Sequence, residues 1–135
     1  MGRDIYIATP KGREPSSVIL DEAKQIALSS KSKIVLTNDP AECVKDADII
    51  YTDVWVSMGQ ESKKDQILDL FEGYQVNEEL VSKAGNNARI MHCLPAHRGE
   101  EITDQVMDSQ NSIVYGQAEN RLHVQKAILL KLLGD

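Results

Sequence analysis

The 135-residue sequence is poor in aromatic side chains, in cysteine and in positive charge. One Phe, one Trp and four Tyr make up 4% of the chain, so any core must be aliphatic. Two cysteines, Cys43 and Cys93, are too few for a disulfide scaffold and are not a Cys-x-x-Cys metal pair. Free thiols in a reducing cytosol are expected; a mitochondrial matrix protein that has lost its transit peptide would look the same. Lys and Arg total 15 against 21 Asp and Glu, a net charge of −6. That balance lacks the clustered positive surface that nucleic acid or an anionic membrane requires, so neither is expected as a partner. No run approaches the roughly 20 apolar residues that cross a bilayer, and the cluster Ala127–Leu133 is interrupted by Lys131. The start, Met1-Gly2-Arg3-Asp4-Ile5, shows no secretory signal.

What is present is the composition of a globular domain, with 41% hydrophobic and 27% charged residues. Five short apolar runs read as strands: Asp4–Thr9, Lys33–Thr37, Asp48–Thr52, Ala88–Met91 and Ser112–Tyr115. Helical signals lie between them. Ile19, Ala23, Ile26 and Ala27 recur at helical spacing after Pro15. Asp39-Pro40-Ala41-Glu42 has the order of a cap, an N1 proline and an acidic third residue. Ser62 reads as the cap of a helix carrying Ile67, Leu68 and Phe71 and stopped by Gly73; Asn77 opens a short helix closed by Gly85. A short helix is expected around Ile102–Met107 and a final one from about Ala118 to Leu133. Strands alternating with helices predict one α/β domain with a mostly parallel sheet of about five strands.

In open α/β sheets the ligand crevice lies beyond the carboxyl ends of the strands. Past the third strand stands Asp53-Val54-Trp55-Val56-Ser57-Met58-Gly59, past the fourth His92-Cys93-Leu94-Pro95, and past the fifth Gly116-Gln117-Ala118-Glu119-Asn120-Arg121. Asp53 reads either as a carboxylate for an ammonium group, with Ser57 adding hydrogen bonds, or as a loop residue capping local backbone, its commoner use. His92 and Cys93 are neighbours on an extended strand, hence on opposite faces and a poor catalytic dyad. Pro95 biases Leu94 away from the helical region, and such a turn can aim the Cys93 sulfur into the crevice; a buried structural cysteine is the bland alternative. His92, His97 and His123 lack a metal-ligand spacing, so no metal site is expected, and His97 and His123 read as solvated or helix-packed. Arg121, placed by this reading in the first turn of the last helix, is an unfavourable cation there unless an anion or polarised carbonyl sits nearby. Glycine-rich loops for dinucleotides or nucleoside triphosphates are missing.

The three segments Asp53-Val54-Trp55-Val56-Ser57-Met58-Gly59-Gln60-Glu61, His92-Cys93-Leu94-Pro95 and Gln117-Ala118-Glu119-Asn120-Arg121, with Ile7-Ala8-Thr9-Pro10-Lys11-Gly12, resemble the ornithine carbamoyltransferases, specifically their C-terminal, ornithine-binding half. The resemblance spans essentially all 135 residues. It implies a Rossmann-like three-layer fold and transfer of the carbamoyl group of carbamoyl phosphate to the side-chain amine of L-ornithine, without a metal or organic cofactor. It also implies site residues: Asp53, Ser57 and Met58 at the amino-acid end of ornithine, Cys93 and Leu94 at the reaction centre, and Arg121 at the carbonyl of carbamoyl phosphate. Asp53, Cys93 and Arg121 would be the catalytic set.

The resemblance also marks departures. The family's Ser-Thr-Arg-Thr phosphate loop and His-Pro-x-Gln element belong to an N-terminal domain and do not appear here, nor does the Gly-Asp-x-x-Asn-Asn segment of the first strand and helix of this half. The chain is therefore expected to be an incomplete domain, nearly inactive alone. A missing central first strand would leave two half-sheets, filled by rearranged pairing or by a strand from another chain. Leu122, Val124, Ile128, Leu129, Leu132 and Leu133 cover more than one face of the last helix, so self-association or element exchange is expected. The alternative is a non-catalytic ornithine-binding or self-associating fragment. A cytoplasmic location is expected, or the mitochondrial matrix in a eukaryote.

Overall fold

The computed structural model describes residues 2–57 and 59–134. The order of elements is β1 (Ile5–Ala8), α1 (Ser17–Ser30), β2 (Ile34–Thr37), α2 (Pro40–Val44), β3 (Ile49–Thr52), α3 (Lys64–Leu70), α4 (Glu78–Ser82), β4 (Arg89–His92), α5 (Asp104–Met107) and α6 (Val114–Leu133). β-Branched and aromatic residues dominate β1 to β3, and helices connect the parallel neighbours, as parallel strands require. The chain is α/β with parallel strands, as its alternating pattern implies.

Two of the caps form as read. Asp39 accepts from the amides of Ala41 and Glu42, with Pro40 at the first helical position. Asn77 accepts from Leu80 N at 2.9 Å and starts α4. Ser62 does not cap: it lies within a 3-10 turn, Glu61–Lys63, that leads into α3. The donor at that end goes to Glu61, whose carboxylate accepts from Gly59 N at 3.0 Å.

The strands pair as β1–β2 and β3–β4, each pair parallel, rather than as one continuous sheet. Between them, the unpaired edges of β1 and β3 flank a cleft of about 1260 Å³ lined by Tyr6, Ile7 and Ala8 on one side and Ile49 to Thr52 on the other. The expected split is therefore present, and among the described residues no rearranged pairing joins β1 to β3. The well-packed core lies on the β3–β4 side. It comprises Val44, Ile50, Val76, Leu80, Ile90, Ile102, Val106, Met107 and Val114, all aliphatic or Met. On the β1–β2 side Ile5 and Tyr6 stay about half exposed.

The fifth expected strand, Ser112–Tyr115, is replaced by a single parallel bridge between Ser112 and Ile90, after which α6 begins at Val114. Hydrogen bonds explain the early turn. Ile90 N donates to Asn111 O and Ile113 N to Ile90 O. The next strand donor, His92 N, is met by the side-chain oxygen of Gln117 at 3.2 Å. A side chain from the helix thus completes the ladder that a longer strand would have supplied, and the backbone is released to coil. Beyond its first turn α6 projects, and Leu122, Val124, Ile128, Leu129, Leu132 and Leu133 are between 51% and 79% exposed.

Candidate functional site

Tyr51 pairs with Met91 and Thr52 with His92 across β3 and β4. Side chains alternate along a strand, so Tyr51 and Asp53 share one face with Met91 and Cys93, and His92 takes the other. The structure follows that rule. Cys93 Sγ donates to Asp53 Oδ1 at 2.8 Å, and Val54 N donates to the same oxygen at 2.7 Å. Asp53 also lines the cleft. The local-backbone bond read for Asp53 is present, in a carboxylate that also receives the Cys93 thiol and borders the cleft.

Burial first, and then the hydrogen bond and charge of Asp53, push the Cys93 thiol above the ordinary range, while its own backbone amide and Tyr51 pull it down. The thiol is accordingly protonated at neutral pH and acts as a donor. In this pair the proton acceptor is Asp53.

His92 is fully buried and faces away from the cleft. Its Nδ1 accepts from Leu94 N at 2.8 Å, which places the ring proton on Nε2, 3.1 Å from Glu101 Oε1. The same Glu101 oxygen accepts from the His97 amide. Glu101 too is fully buried, and among the described residues its Oε2 has no partner. This pair holds the turn after β4, where Leu94 has φ +57° and the Leu94–Pro95 peptide is cis. Leu94 is thus in the left-handed region rather than extended, the opposite of what the residue before a proline favours. That conformation costs about 1–2 kcal/mol in a residue other than glycine, and the bond to His92 offsets it. Donor atoms of Asp53, His92 and Cys93 lie within 4.8 Å of one another. Both His92 nitrogens are already engaged, so a cation there would have to displace a hydrogen bond.

Ser57 is exposed at the start of a turn in which its carbonyl accepts from Gln60 N at 3.0 Å. Met58, expected beside it, lies outside the described residues. Arg121 is not in the first turn of the last helix, because α6 begins at Val114; it sits two turns in, and the argument from the helix N-terminus fails for it. It falls four residues after Gln117, on the same face, and lines a shallow recess with Gln117 and Asn120. The structure brings Asp53, Cys93 and Leu94 together and leaves Arg121 exposed one turn beyond Gln117.

Sequence reasoning passed over four contributors. Glu101 sits in a polar stretch whose pattern gives no hint of burial. Tyr51 was legible from its alternation with Asp53. Gln117 follows the last predicted strand as an ordinary polar residue, and its amide spans from His92 N to the Tyr51 hydroxyl, the latter at 3.2 Å. Trp55 stacks on Phe71 at 5.1 Å, and Phe71 meets Tyr74 edge-on at 5.8 Å, walling the cleft beside Asp53.

A family model described as aspartate/ornithine carbamoyltransferase, Asp/Orn binding domain, matches residues 1–132. A catabolic ornithine carbamoyltransferase of Thermoplasma volcanium is 56% identical over 133 residues, 98% of this chain and 44% of that protein. The solved ornithine carbamoyltransferase of Pyrococcus furiosus aligns with a TM-score of 0.91 at 53% identity, over 96% of this chain and 41% of that one. An anabolic ornithine carbamoyltransferase from Campylobacter jejuni reaches a TM-score of 0.92 at 40% identity, covering 97% and 43%. This chain spans less than half the length of each of these relatives.

Proposed function

Because this chain belongs to the aspartate/ornithine carbamoyltransferase family, through its Asp/Orn-binding domain, we propose that it is the ornithine-binding domain of an ornithine carbamoyltransferase. The observation that carries this reading is the Asp53 carboxylate at the cleft, accepting from the Cys93 thiol where β3 and β4 end. Ornithine's side-chain amine has a reference pKa of about 10.4, like lysine's, and must lose a proton to become a nucleophile. Asp53 is placed to attract the ammonium and take that proton, and Cys93 works as a donor that orients it. The amine nitrogen bonds to the carbonyl carbon of carbamoyl phosphate, the bond to the phosphate oxygen breaks with its electron pair, and citrulline and phosphate result. Leu94 with its backbone lines the reaction centre, Ser57 and Met58 hold the amino-acid end, and Arg121 polarises the carbonyl. No metal or organic cofactor takes part.

The carbamoyl-phosphate half of the site is assigned to a domain outside these 135 residues, in keeping with the 44% coverage of the relative. The chain alone should therefore bind ornithine and turn over at a small fraction of a complete enzyme's rate. Calorimetric titration with ornithine, for the parent chain and Asp53→Asn, tests the binding; equal affinity in the two refutes the assignment of Asp53. Citrulline production with both substrates at the rate of a complete enzyme would refute the division of labour. The cytoplasm, or the mitochondrial matrix of a eukaryote, is the compartment that suits two free thiols.

A second reading, a self-associating fragment, is favoured by the exposed apolar residues of α6 and the open edges of β1 and β3. A strand from a second chain would find backbone donors and acceptors on both walls of the cleft. Analytical ultracentrifugation decides it: a monomer across the concentration range rules this reading out.

A further inference from the structure

The turn that follows Pro95 gathers a second group of polar side chains, apart from the crevice. Glu100 N donates to His97 O at 2.9 Å, and Gly99 takes φ +89°, the positive φ that a type II turn needs at its third position. The first and fourth residues of the turn meet, with His97 Nδ1 3.5 Å from Glu100 Oε2. Glu101 comes next, and one oxygen of each carboxylate lies with a His97 ring nitrogen inside a mutual distance of 4.8 Å. The turn is pinned from outside, because the Gln75 amide donates to Gly99 O at 2.9 Å and to Glu100 O at 2.8 Å.

Two oxygens of this group are unanswered. Glu101 is fully buried; its Oε1 accepts from His92 Nε2 and from the His97 amide. Its Oε2, like the buried Oε2 of Glu100, has no partner among the described residues. A carboxylate oxygen withdrawn from water without a partner is costly. The cations nearby are spent elsewhere: Lys64 sits on Glu100 Oε1 at 2.6 Å, and Arg98 turns to Asp104 and Asp108. A proton on one carboxyl would answer one oxygen, and a charged His97 only that of Glu100. A divalent cation answers both and uses the His97 nitrogen as well.

We propose that His97, Glu100 and Glu101 form a binding site for a divalent first-row cation, completed by water, which clamps the turn after β4. Imidazole nitrogen and carboxylate oxygen bind Zn²⁺ at about 2.0–2.2 Å, so two ligands of one ion stand about 3–3.5 Å apart. The His97–Glu100 separation already has that value. Glu101 is fixed, while the side chains of His97, 46% exposed, and Glu100, 22% exposed, can close on it. The site goes beyond the carbamoyl chemistry and does not depend on it, since Glu101 lies on the His92 face, away from Cys93 and Asp53. Histidine spacing carries no sign of it because two of its three ligands are carboxylates.

The test uses the untagged 135-residue chain with Cys43→Ala and Cys93→Ser, so that no thiol competes for the metal. Calorimetric titration with zinc chloride should show one ion bound per chain. His97→Ala and Glu100→Gln should each weaken binding at least about tenfold. Glu101→Gln, which keeps an oxygen for His92 and the His97 amide, should weaken it likewise. His123→Ala, on α6 beside Glu119, should leave the affinity in place. Zn²⁺ should raise the melting temperature of the parent and not that of His97→Ala, and the His97 ring signals should shift in NMR spectra while those of His123 stay. If His97→Ala fails to fold, Glu100→Gln decides, because it keeps an oxygen for Lys64. No saturable binding by the parent overturns the proposal. So does unchanged affinity in any of the three ligand variants, or an equal loss in His123→Ala.

Discussion

Replacing Glu101 by alanine takes away one carboxylate oxygen on which two donors converge, His92 Nε2 and the His97 amide. The His97 amide is only part-buried and can turn to water. The His92 donor cannot, because ring and carboxylate are both fully buried. A buried donor left without an acceptor costs about 1–3 kcal/mol. The methylene lost from the packed interior adds about 0.8 kcal/mol. Against this, alanine relieves the partnerless Oε2 of Glu101, which recovers about 1–2 kcal/mol. The net expectation is a loss of roughly 1–2 kcal/mol, a sizeable share of the stability of a chain this size. Glu101→Gln keeps an oxygen where Oε1 stands and should cost about 1 kcal/mol or less. Urea unfolding followed by far-UV circular dichroism measures both. A second readout follows from the link to Leu94: with His92 free to rotate, its bond to Leu94 N loosens and alkylation of Cys93 should speed up in Glu101→Ala. Stability of Glu101→Ala within about 0.5 kcal/mol of the parent would refute the account. So would a glutamine variant as damaged as the alanine one, since the charge and not the acceptor would then matter.

Asp53→Asn should lower the Cys93 thiol toward its ordinary range, because the charge that opposes ionisation is gone; faster alkylation at neutral pH checks it. Arg98 donates to Asp104 and, through both terminal nitrogens, to Asp108, holding the Asp108 carboxyl below its usual range. A depressed carboxyl contributes stability that is complete above its unfolded value of about 3.9 and is lost as pH falls through the folded one. Arg98→Ala should therefore lower the melting temperature at neutral pH, and its gap to the parent should close below about pH 4; a gap constant with pH would contradict the pairing. Asn77→Ala removes the cap over Leu80 and should cost about 1 kcal/mol in urea unfolding.

Much of this architecture was legible in the linear sequence because it is set locally. Ile34-Val35-Leu36-Thr37 prefers an extended backbone whatever surrounds it, and Asp39-Pro40 opens a helix through bonds spanning three residues. The alternation of side chains along a strand likewise puts His92 and Cys93 on opposite faces whatever the tertiary structure. Asp53, Cys93 and Leu94 could be placed at one sheet edge because all three follow the ends of strands.

Tertiary structure decided what depends on partners distant in the chain. Ser112–Tyr115 has strand-like residues, yet α6 starts at Val114 because Gln117, 25 residues after His92, supplies the ladder's next acceptor. That shift moved Arg121 out of the first turn and removed the electrostatic reason offered for it. Leu94 adopts a left-handed conformation that its proline neighbour disfavours, because the His92 ring receives its amide. The burial of Glu101 and the split between β1 and β3 are of the same kind. A charged side chain, or an unpaired strand edge, takes its place according to which groups meet it in space, and periodicity along the chain carries no record of that.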